Sequence, residues 1–210
     1  MKNIIFDMDG TLIDSSKAIT NSVNFVRSNI GLPPLPIETV TKNINKPDAD
    51  LPKIFYNTDT YEQKHRELFL KHYHEECIKN IEIYEGIYEL LETLSKDFTL
   101  NIATNASDFF AKKMLKHLNI LDFFTSIKGR NNVNNVKPHP EIIETILKET
   151  NHNKKESLFI GDSEKDSLTA KNAKIDFIFV SWGFGKNLGD EKIANHPKEL
   201  LDLIYQTAKR

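Results

Sequence analysis

Cysteine is almost absent from this sequence, since Cys77 is the only one among 210 residues. A single cysteine cannot form a disulfide within the chain, so nothing indicates an oxidising compartment. Its neighbours His74, Glu75 and Glu76 are polar and mostly acidic, whereas a catalytic thiol needs a positively charged setting. Cys77 is therefore predicted to be a packed residue without a catalytic role.

Strong net charge and long apolar runs are also missing. The formal net charge is -2, so a nucleic-acid partner is not indicated. No apolar run approaches the roughly 20 residues that a membrane helix needs. The first apolar segment ends at the acidic Asp7, before a signal peptide could form. We therefore expect no membrane association and a cytoplasmic location.

Short apolar runs alternate with helical patterns along most of the chain. Each run has the length and composition of a buried strand, and the helices between them carry apolar residues on one face. This alternation predicts an α/β fold with a Rossmann-like parallel sheet core and helices on both faces. The strands predicted in this way are 4–6, 98–103, 123–127, 157–160 and 177–180.

One long segment has no strand pattern. Residues 15–81 are predicted to be all-helical, with a break at the proline-rich stretch from Gly31 to Pro36. Short helical pieces are expected over 37–60, and a longer helix over 61–79. Because this segment follows the first strand directly, it is predicted to be an insertion into the α/β core.

Polar side chains follow the predicted strands at their carboxyl ends. In open parallel sheets, ligands bind beyond this edge, so residues that are distant in sequence should meet there. The polar residues at these positions are Asp7, Asp9, Thr104, Asn105, Lys137, Asp162 and Asp166. We expect their side chains to converge at one edge of the sheet.

A cluster of carboxylates requires cations. Two carboxylates about 4 Å apart repel each other by about 4 kcal/mol at an effective dielectric constant of 20. Lys137 can supply one positive charge, and Mg²⁺ held by carboxylates, phosphate and water can supply another. Gly10 allows a turn after Asp9 and a close approach of the backbone to a ligand. An Asp-Gly pair is also common in plain surface turns, so the functional interpretation depends on the coincidence of several sheet-edge elements.

Four motifs resemble those of the haloacid dehalogenase (HAD) superfamily, in the same order along the chain. They are Phe6–Leu12, Ile102–Asn105, Lys137–Pro138 and Gly161–Asp166. The resemblance covers nearly the whole chain, and the helical segment lies where the family inserts a cap. It therefore implies a core domain of residues 1–14 and 82–210, and a small helical cap domain of residues 15–81.

The resemblance implies a Mg²⁺-dependent phosphatase. Asp7 would be the nucleophile that forms an aspartyl-phosphate, and Asp9 would act as general acid and then general base. Thr104, Asn105 and Lys137 would bind the phosphoryl group, and Lys137 would also stabilise its developing charge. The metal ligands implied by the resemblance are Asp7, the backbone carbonyl of Asp9, Asp162 and Asp166.

Alternatives within the family stay open at this point. Members that dehalogenate 2-haloacids or cleave phosphonates lack an aspartate two residues after the nucleophile, so Asp9 favours phosphoryl chemistry. A sugar-phosphate mutase related to β-phosphoglucomutase would keep both Asp7 and Asp9, although its usual cap motif with an arginine is not seen. A non-catalytic binding protein on the same fold is the other alternative.

The substrate is predicted only by class. Chain size, cap position and the stretch Val180–Gly185 are most similar to phosphoglycolate phosphatases. Two departures are the absence of a glycine in Thr41–Asn45 and the presence of Ala106 where relatives often have lysine. We expect a small phosphorylated metabolite as partner; phosphoglycolate, a nucleotide monophosphate, a sugar phosphate and pyrophosphate all fit. A monomer or a homodimer is expected.

Overall fold

A computed structural model describes residues 1–186, 189 and 192–208. The strands of this part are β1 (Asn3–Phe6), β2 (Ile13–Asp14), β3 (Glu82–Ile83), β4 (Thr99–Ala103), β5 (Phe124–Lys128), β6 (Ser157–Gly161), β7 (Asp176–Val180) and β8 (Lys192–Ala194). Six of them form one parallel sheet in the order β5-β4-β1-β6-β7-β8. The chain leaves β1 towards β4 on one side and later returns to β6 on the other. The carboxyl ends of β4, β1 and β6 therefore adjoin at a topological switch point.

Helices cover both faces of this sheet, and the predicted α/β class is confirmed. The helices of the described part are α1 (Ser16–Asn29), α2 (Ile37–Ile44), α3 (Leu51–Tyr56), α4 (Gln63–Lys79), α5 (Ile87–Leu94), α6 (Asp108–His117), α7 (Glu141–Thr150), α8 (Glu164–Ala173) and α9 (Pro197–Ala208). Ile4 and Phe6 of β1 pack in a cluster with α5, α6 and α9. Ile5 faces the opposite side and packs in a cluster with α7 and α8. This alternation along β1 follows from the two-residue period of a strand.

Helices α1 to α4 form a helical insert, defined here as residues 16–79. Val23, Val40 and Phe55 belong to a separate apolar cluster within this insert. Ala18 and Tyr73, in contrast, pack with the large apolar cluster that also contains residues of α5, α6 and α9. The insert thus has apolar packing of its own and also rests on the α/β core. The division into domains at residues 14/15 and 81/82 stays a prediction.

The insert joins the core through a short antiparallel ribbon. Ile13 pairs with Ile83, and Asp14 pairs with Glu82. The sequence prediction did not include this ribbon or β8, because elements of two or three residues are too short to show a periodic pattern. Within the part of the chain that the structure describes, no helix is both long enough and apolar enough to span a bilayer.

A row of buried, hydrogen-bonded polar side chains links the three central strands β4, β1 and β6. The Asn101 amide donates to Asn3 Oδ1 over 2.6 Å, and the Asn3 amide donates to Ser157 Oγ over 2.9 Å. Ser157 in turn donates to the Asn153 carbonyl over 2.9 Å. All three strand residues are buried. The Asn101–Asn3 bond depends on the register of β4 with β1, and the Asn3–Ser157 bond on that of β1 with β6, so these two bonds help to specify the alignment of the three strands.

Candidate active site

Lys137 links two aspartates that are far apart in sequence. Its ammonium nitrogen lies 2.6 Å from Asp7 Oδ1 and 2.6 Å from Asp166 Oδ1. Asp7 follows β1 directly, and its amide continues the strand pairing by donating to the Ile160 carbonyl over 2.8 Å. The Lys137 side chain is only 3% exposed, so both contacts are shielded from solvent and are electrostatically stronger than surface pairs.

Asp162 completes an aspartate cluster with Asp7 and Asp166. One oxygen from each of the three buried carboxylates lies within 4.8 Å of the other two. The Thr11 hydroxyl lies 3.4 Å from Asp7 Oδ2 and 3.4 Å from Asp162 Oδ1, and it can donate to either. Lys137 is the one cation in salt-bridge contact with this cluster among the described residues. The cluster therefore carries excess negative charge that a divalent cation would balance.

Burial and mutual repulsion dominate the electrostatics of the cluster. Burial, and then the nearby Asp166 carboxylate, raise the pKa of Asp162 to about 7. Burial also raises the pKa of Asp7, with further contributions from Asp166 and Asp162 that outweigh the attraction of Lys137. For Lys137 itself, burial opposes the charged form, but attraction to Asp166 and Asp7 prevails and holds its pKa above the ordinary lysine value. Lys137 therefore stays an ammonium ion at neutral pH.

Local sequence explains how the carboxylates reach this place. Gly10 adopts a φ of +90°, and a Cβ there would lie 2.5 Å from Asp162 Oδ2. Gly161 ends β6, and a Cβ there would lie 2.5 Å from the Cβ of Asp166. Ser163 is the N-cap of α8: its hydroxyl accepts from the Asp166 amide and also donates to the Asp166 carboxylate. Glycines and a capping serine thus hold the acidic residues close to each other.

The side chain of Asp9 is not part of the aspartate cluster and has other hydrogen-bond partners. Ser15 donates to Asp9 Oδ1 over 2.5 Å, and Thr104 donates to Asp9 Oδ2 over 3.4 Å. Burial raises the pKa of Asp9, although both hydroxyl donors oppose this shift. Ser15 precedes α1 but forms no side-chain cap. Its hydroxyl is used to orient Asp9.

Asn105 acts on the backbone of Lys137. The Lys137 amide donates to Asn105 Oδ1 over 3.0 Å, and the Asn105 amide donates to the Lys137 carbonyl over 3.2 Å. This reciprocal pair fixes the loop that presents the Lys137 side chain. Thr104, at the end of β4, is buried and also accepts from the Ala106 amide over 3.1 Å. The structure therefore brings all seven predicted residues to one sheet edge, with Asn105 in a supporting position.

The sequence reasoning missed two contacts between the helical insert and the core. Asn45, directly after α2, donates from its side-chain amide to Asp162 Oδ2 over 3.1 Å. Lys165 of α8 donates to the Ile44 carbonyl over 2.8 Å. Burial, and then repulsion by Lys137, lower the pKa of the Lys165 amine. No local pattern signals these contacts, because they depend on how the insert is seated against the core.

The loop after β7 also contacts the aspartate cluster. The backbone amides of Phe184 and Gly185 donate to Asp162 Oδ2 over 2.7 and 3.1 Å. The Trp182 indole donates to the Thr11 carbonyl over 3.0 Å. This loop therefore supports the residues around the cluster with backbone and indole donors, a role that the side-chain types alone did not predict.

Comparisons with known proteins agree with this geometry. The family model of haloacid dehalogenase-like hydrolases matches residues 4–180. The chain belongs to this family. It is 32% identical to the phosphoglycolate phosphatase of Aquifex aeolicus, over 89% of this chain and 87% of the relative. It is also 32% identical to the pyrophosphatase PpaX of Listeria welshimeri, over 85% of this chain and 82% of the relative.

A solved structure shares the architecture. A haloacid dehalogenase-like family hydrolase from Streptococcus pneumoniae superposes with a TM-score of 0.85 at 28% identity. The match covers 97% of this chain and 98% of that one. The predicted resemblance to the HAD superfamily and to its phosphoglycolate phosphatase-like members is confirmed. The prediction of a HAD-type phosphatase is confirmed as well, by the family match and by these phosphatase relatives.

Proposed function

We propose that this HAD-type phosphatase hydrolyses a small phosphomonoester by transferring its phosphoryl group to Asp7. The observation that supports this proposal most strongly is the contact of Asp7 with Lys137 inside a buried cluster of three aspartates. A carboxylate held beside an ammonium group, at the carboxyl edge of a parallel sheet, is suited to attack an anionic phosphorus centre. Its position after the first strand agrees with the HAD motif.

The two chemical steps use Asp7 and Asp9 in turn. In the first, a carboxylate oxygen of Asp7 forms a bond to phosphorus while the bond from phosphorus to the leaving oxygen breaks. Asp9 gives its proton to that oxygen, and its raised pKa favours the protonated form that this step needs. In the second, Asp9 as a carboxylate takes a proton from the water that attacks the aspartyl-phosphate. This attack releases phosphate and restores Asp7.

Lys137 and Thr104 are proposed to bind the phosphoryl oxygens. The Lys137 ammonium contacts Asp7 directly, so it lies where negative charge develops during transfer. Thr104 contacts Asp9 through its hydroxyl, which lies 3.4 Å from Asp9 Oδ2. Asn105 would act by holding the Lys137 backbone. Together these residues would orient the phosphoryl group between the nucleophile and the general acid.

We propose Mg²⁺ as cofactor, held by the carboxylates of Asp7, Asp162 and Asp166 and by the backbone carbonyl of Asp9. The donors are all oxygens, which is the ligand set that Mg²⁺ prefers. The cluster has three buried carboxylates and only one lysine in contact with them, so a divalent cation would balance the remaining negative charge. When bound, the cation neutralises phosphate charge that would otherwise repel Asp7.

The helical insert is proposed to act as the cap, as part of a cap domain of residues 15–81 on a core of 1–14 and 82–210. Asn45 already reaches the aspartate cluster from this side, so the insert covers the site and would exclude water during transfer. Relatives named for phosphoglycolate and for pyrophosphate indicate a small phosphorylated metabolite as substrate.

Asp7→Asn tests the nucleophile. We expect it to reduce hydrolysis of p-nitrophenyl phosphate with Mg²⁺ by at least about 1000-fold, because an amide cannot form the acyl phosphate. Circular dichroism should show an unchanged fold. Asp59→Asn is the matched control, since the Asp59 side chain is 96% exposed and forms only a surface pair.

Two measurements make this test decisive. Mass spectrometry of acid-quenched enzyme should find phosphate on the peptide that contains Asp7, in the wild type and not in Asp7→Asn. Release of inorganic phosphate distinguishes hydrolysis from the mutase alternative. Undiminished turnover by folded Asp7→Asn would refute the proposed mechanism.

A further inference from the structure

Lys165 is a half-buried cation that the proposed mechanism does not use. It lies in the first turn of α8, immediately before Asp166. Its ammonium group donates to the Ile44 carbonyl over 2.8 Å. Among the ion pairs of the described residues, none contains Lys165, so its charge has no carboxylate partner in direct contact there.

The location of this ammonium group is at the edge of the proposed site. Ile44 ends α2, and the next residue, Asn45, contacts Asp162 of the aspartate cluster. Lys165 also lies within electrostatic range of Lys137, Asp166 and Asp7. It therefore stands where the end of α2 meets the aspartate cluster. Lys42 and Lys46 on the same part of the insert are exposed.

The chemistry of an ammonium group makes this arrangement incomplete. A lysine offers three N–H donors, and the Ile44 carbonyl accepts only one. The Ile44 carbonyl is neutral, and the repulsion from Lys137 exceeds the attraction of either Asp166 or Asp7 taken singly, so the charge of this half-buried cation is only partly compensated. An anionic oxygen from a bound molecule would provide both a second acceptor and the missing charge.

Resting on the proposed function, we infer that Lys165 is a specificity-determining residue that binds a second anionic group of the substrate, a carboxylate or a further phosphate. The first anionic group is the phosphoryl group at Asp7. Lys165 thereby favours substrates with two anionic groups over simple phosphomonoesters. The Ile44 carbonyl orients the ammonium group, and the bound anion then also draws the end of α2 onto the core.

The test compares two substrates that differ only at the second group. 2-Phosphoglycolate carries a carboxylate, and ethyl phosphate has a methyl group in its place. The quantity measured is the ratio of their kcat/KM values. In the wild type this ratio should strongly favour 2-phosphoglycolate. Lys165→Gln keeps a donor for Ile44 and removes the charge, and it should lower the ratio by about 10- to 100-fold, as expected for a lost charged hydrogen bond.

Matched variants separate recognition from packing. Lys165→Arg keeps the charge and should retain most of the preference. Lys171→Gln, on an exposed position of the same helix, should leave the ratio unchanged. Pyrophosphate as a third substrate distinguishes the two kinds of anion: a loss for pyrophosphate alone assigns Lys165 to a second phosphate, and a loss for 2-phosphoglycolate alone assigns it to a carboxylate.

Several outcomes would overturn the inference. If Lys165→Gln lowers kcat/KM equally for ethyl phosphate and for both substrates with a second anionic group, Lys165 only fastens the insert to the core. If the wild type prefers neither of the two substrates with a second anionic group, the proposed phosphatase activity stands and the role of Lys165 is wrong. If the wild type releases phosphate from none of them, nor from p-nitrophenyl phosphate, the proposed function itself is wrong.

Discussion

The side-chain amide of Asn45 donates a hydrogen bond of 3.1 Å to Asp162 Oδ2 and so joins the helical insert to the aspartate cluster. The same oxygen accepts from the backbone amides of Phe184 and Gly185. Three donors from two distant segments therefore fix the orientation of one carboxylate. Its other oxygen, Oδ1, is directed towards Thr11 and the rest of the cluster.

Asn45→Ala is expected to weaken Mg²⁺ binding by about 10- to 100-fold, the usual effect of losing a partner that orients a metal ligand. Because Trp182 is the only tryptophan and contacts Thr11 beside the cluster, its fluorescence offers a direct titration of Mg²⁺. Asn43→Ala is the control, since the Asn43 side-chain amide, among the residues that the structure describes, bonds only to the Thr39 carbonyl within α2. Equal Mg²⁺ affinity in Asn45→Ala and the wild type would contradict this role.

The metal-free protein is expected to become less stable as the pH rises through the neutral range. Asp162 has a pKa of about 7 in the folded protein, raised from an ordinary value of 3.8. Between these values the folded state holds a proton that the unfolded state has released, so stability falls with rising pH. From about pH 5.5 to about pH 7.5 this loss amounts to about 2 kcal/mol.

Urea unfolding in the presence of a chelator measures this slope. Asp162→Asn cannot titrate and should be distinctly less sensitive to pH over the same range. Added Mg²⁺ should stabilise the wild type more at about pH 7.5 than at about pH 5.5, because the carboxylates must lose their protons to bind metal. A metal-free protein that gains stability as the pH rises would disprove the assignment.

Lys137→Met is expected to cost about 3–5 kcal/mol of stability in the metal-free protein. The substitution leaves Asp7 and Asp166 buried without the cation that contacts both. Lys154→Met is the control, because Lys154 pairs with Glu144 over 3.4 Å while the two side chains are 43% and 50% exposed. Such a surface pair contributes at most about 1 kcal/mol.

Chemical denaturation with a chelator present compares the two lysine variants. Mg²⁺ should recover part of the loss in Lys137→Met and none in Lys154→Met, since only the first leaves carboxylates that a cation can neutralise. Similar costs for both variants would mean that the aspartate cluster does not depend on Lys137.

It was predictable from the sequence that four residues would converge, because strand position determines which residues lie at the carboxyl edge of a parallel sheet. These residues are Asp7, Lys137, Asp162 and Asp166. Apolar runs of three to six residues reveal buried strands, and the carboxyl ends of parallel strands share one edge. The family motifs then identify which polar residues matter. The catalytic and metal-binding roles of these residues stay predictions until the variants are measured.

Contacts between distant loops were not predictable in the same way. Lys165 contacts Ile44 only because the end of α2 lies against α8. No spacing of residues in the sequence predicts this contact. The chain of Asn3, Asn101 and Ser157 was missed for a different reason. Polar residues in or next to a predicted strand suggest exposure, yet here hydrogen bonds to neighbouring strands hold them inside the sheet, and those partners cannot be identified from one strand alone.

The pairing of Ile13 with Ile83, and of Asp14 with Glu82, means that the chain departs from the α/β core and re-enters it at one point. We expect that a different segment whose ends meet there can replace the present one only if it restores the apolar packing of Ala18 and Tyr73. The reactive carboxylates all lie outside the exchanged part. Recombination at this junction is therefore expected to change substrate preference while the carboxylates stay in place, provided that the new segment again supplies the donors that Ser15 gives to Asp9 and Asn45 gives to Asp162.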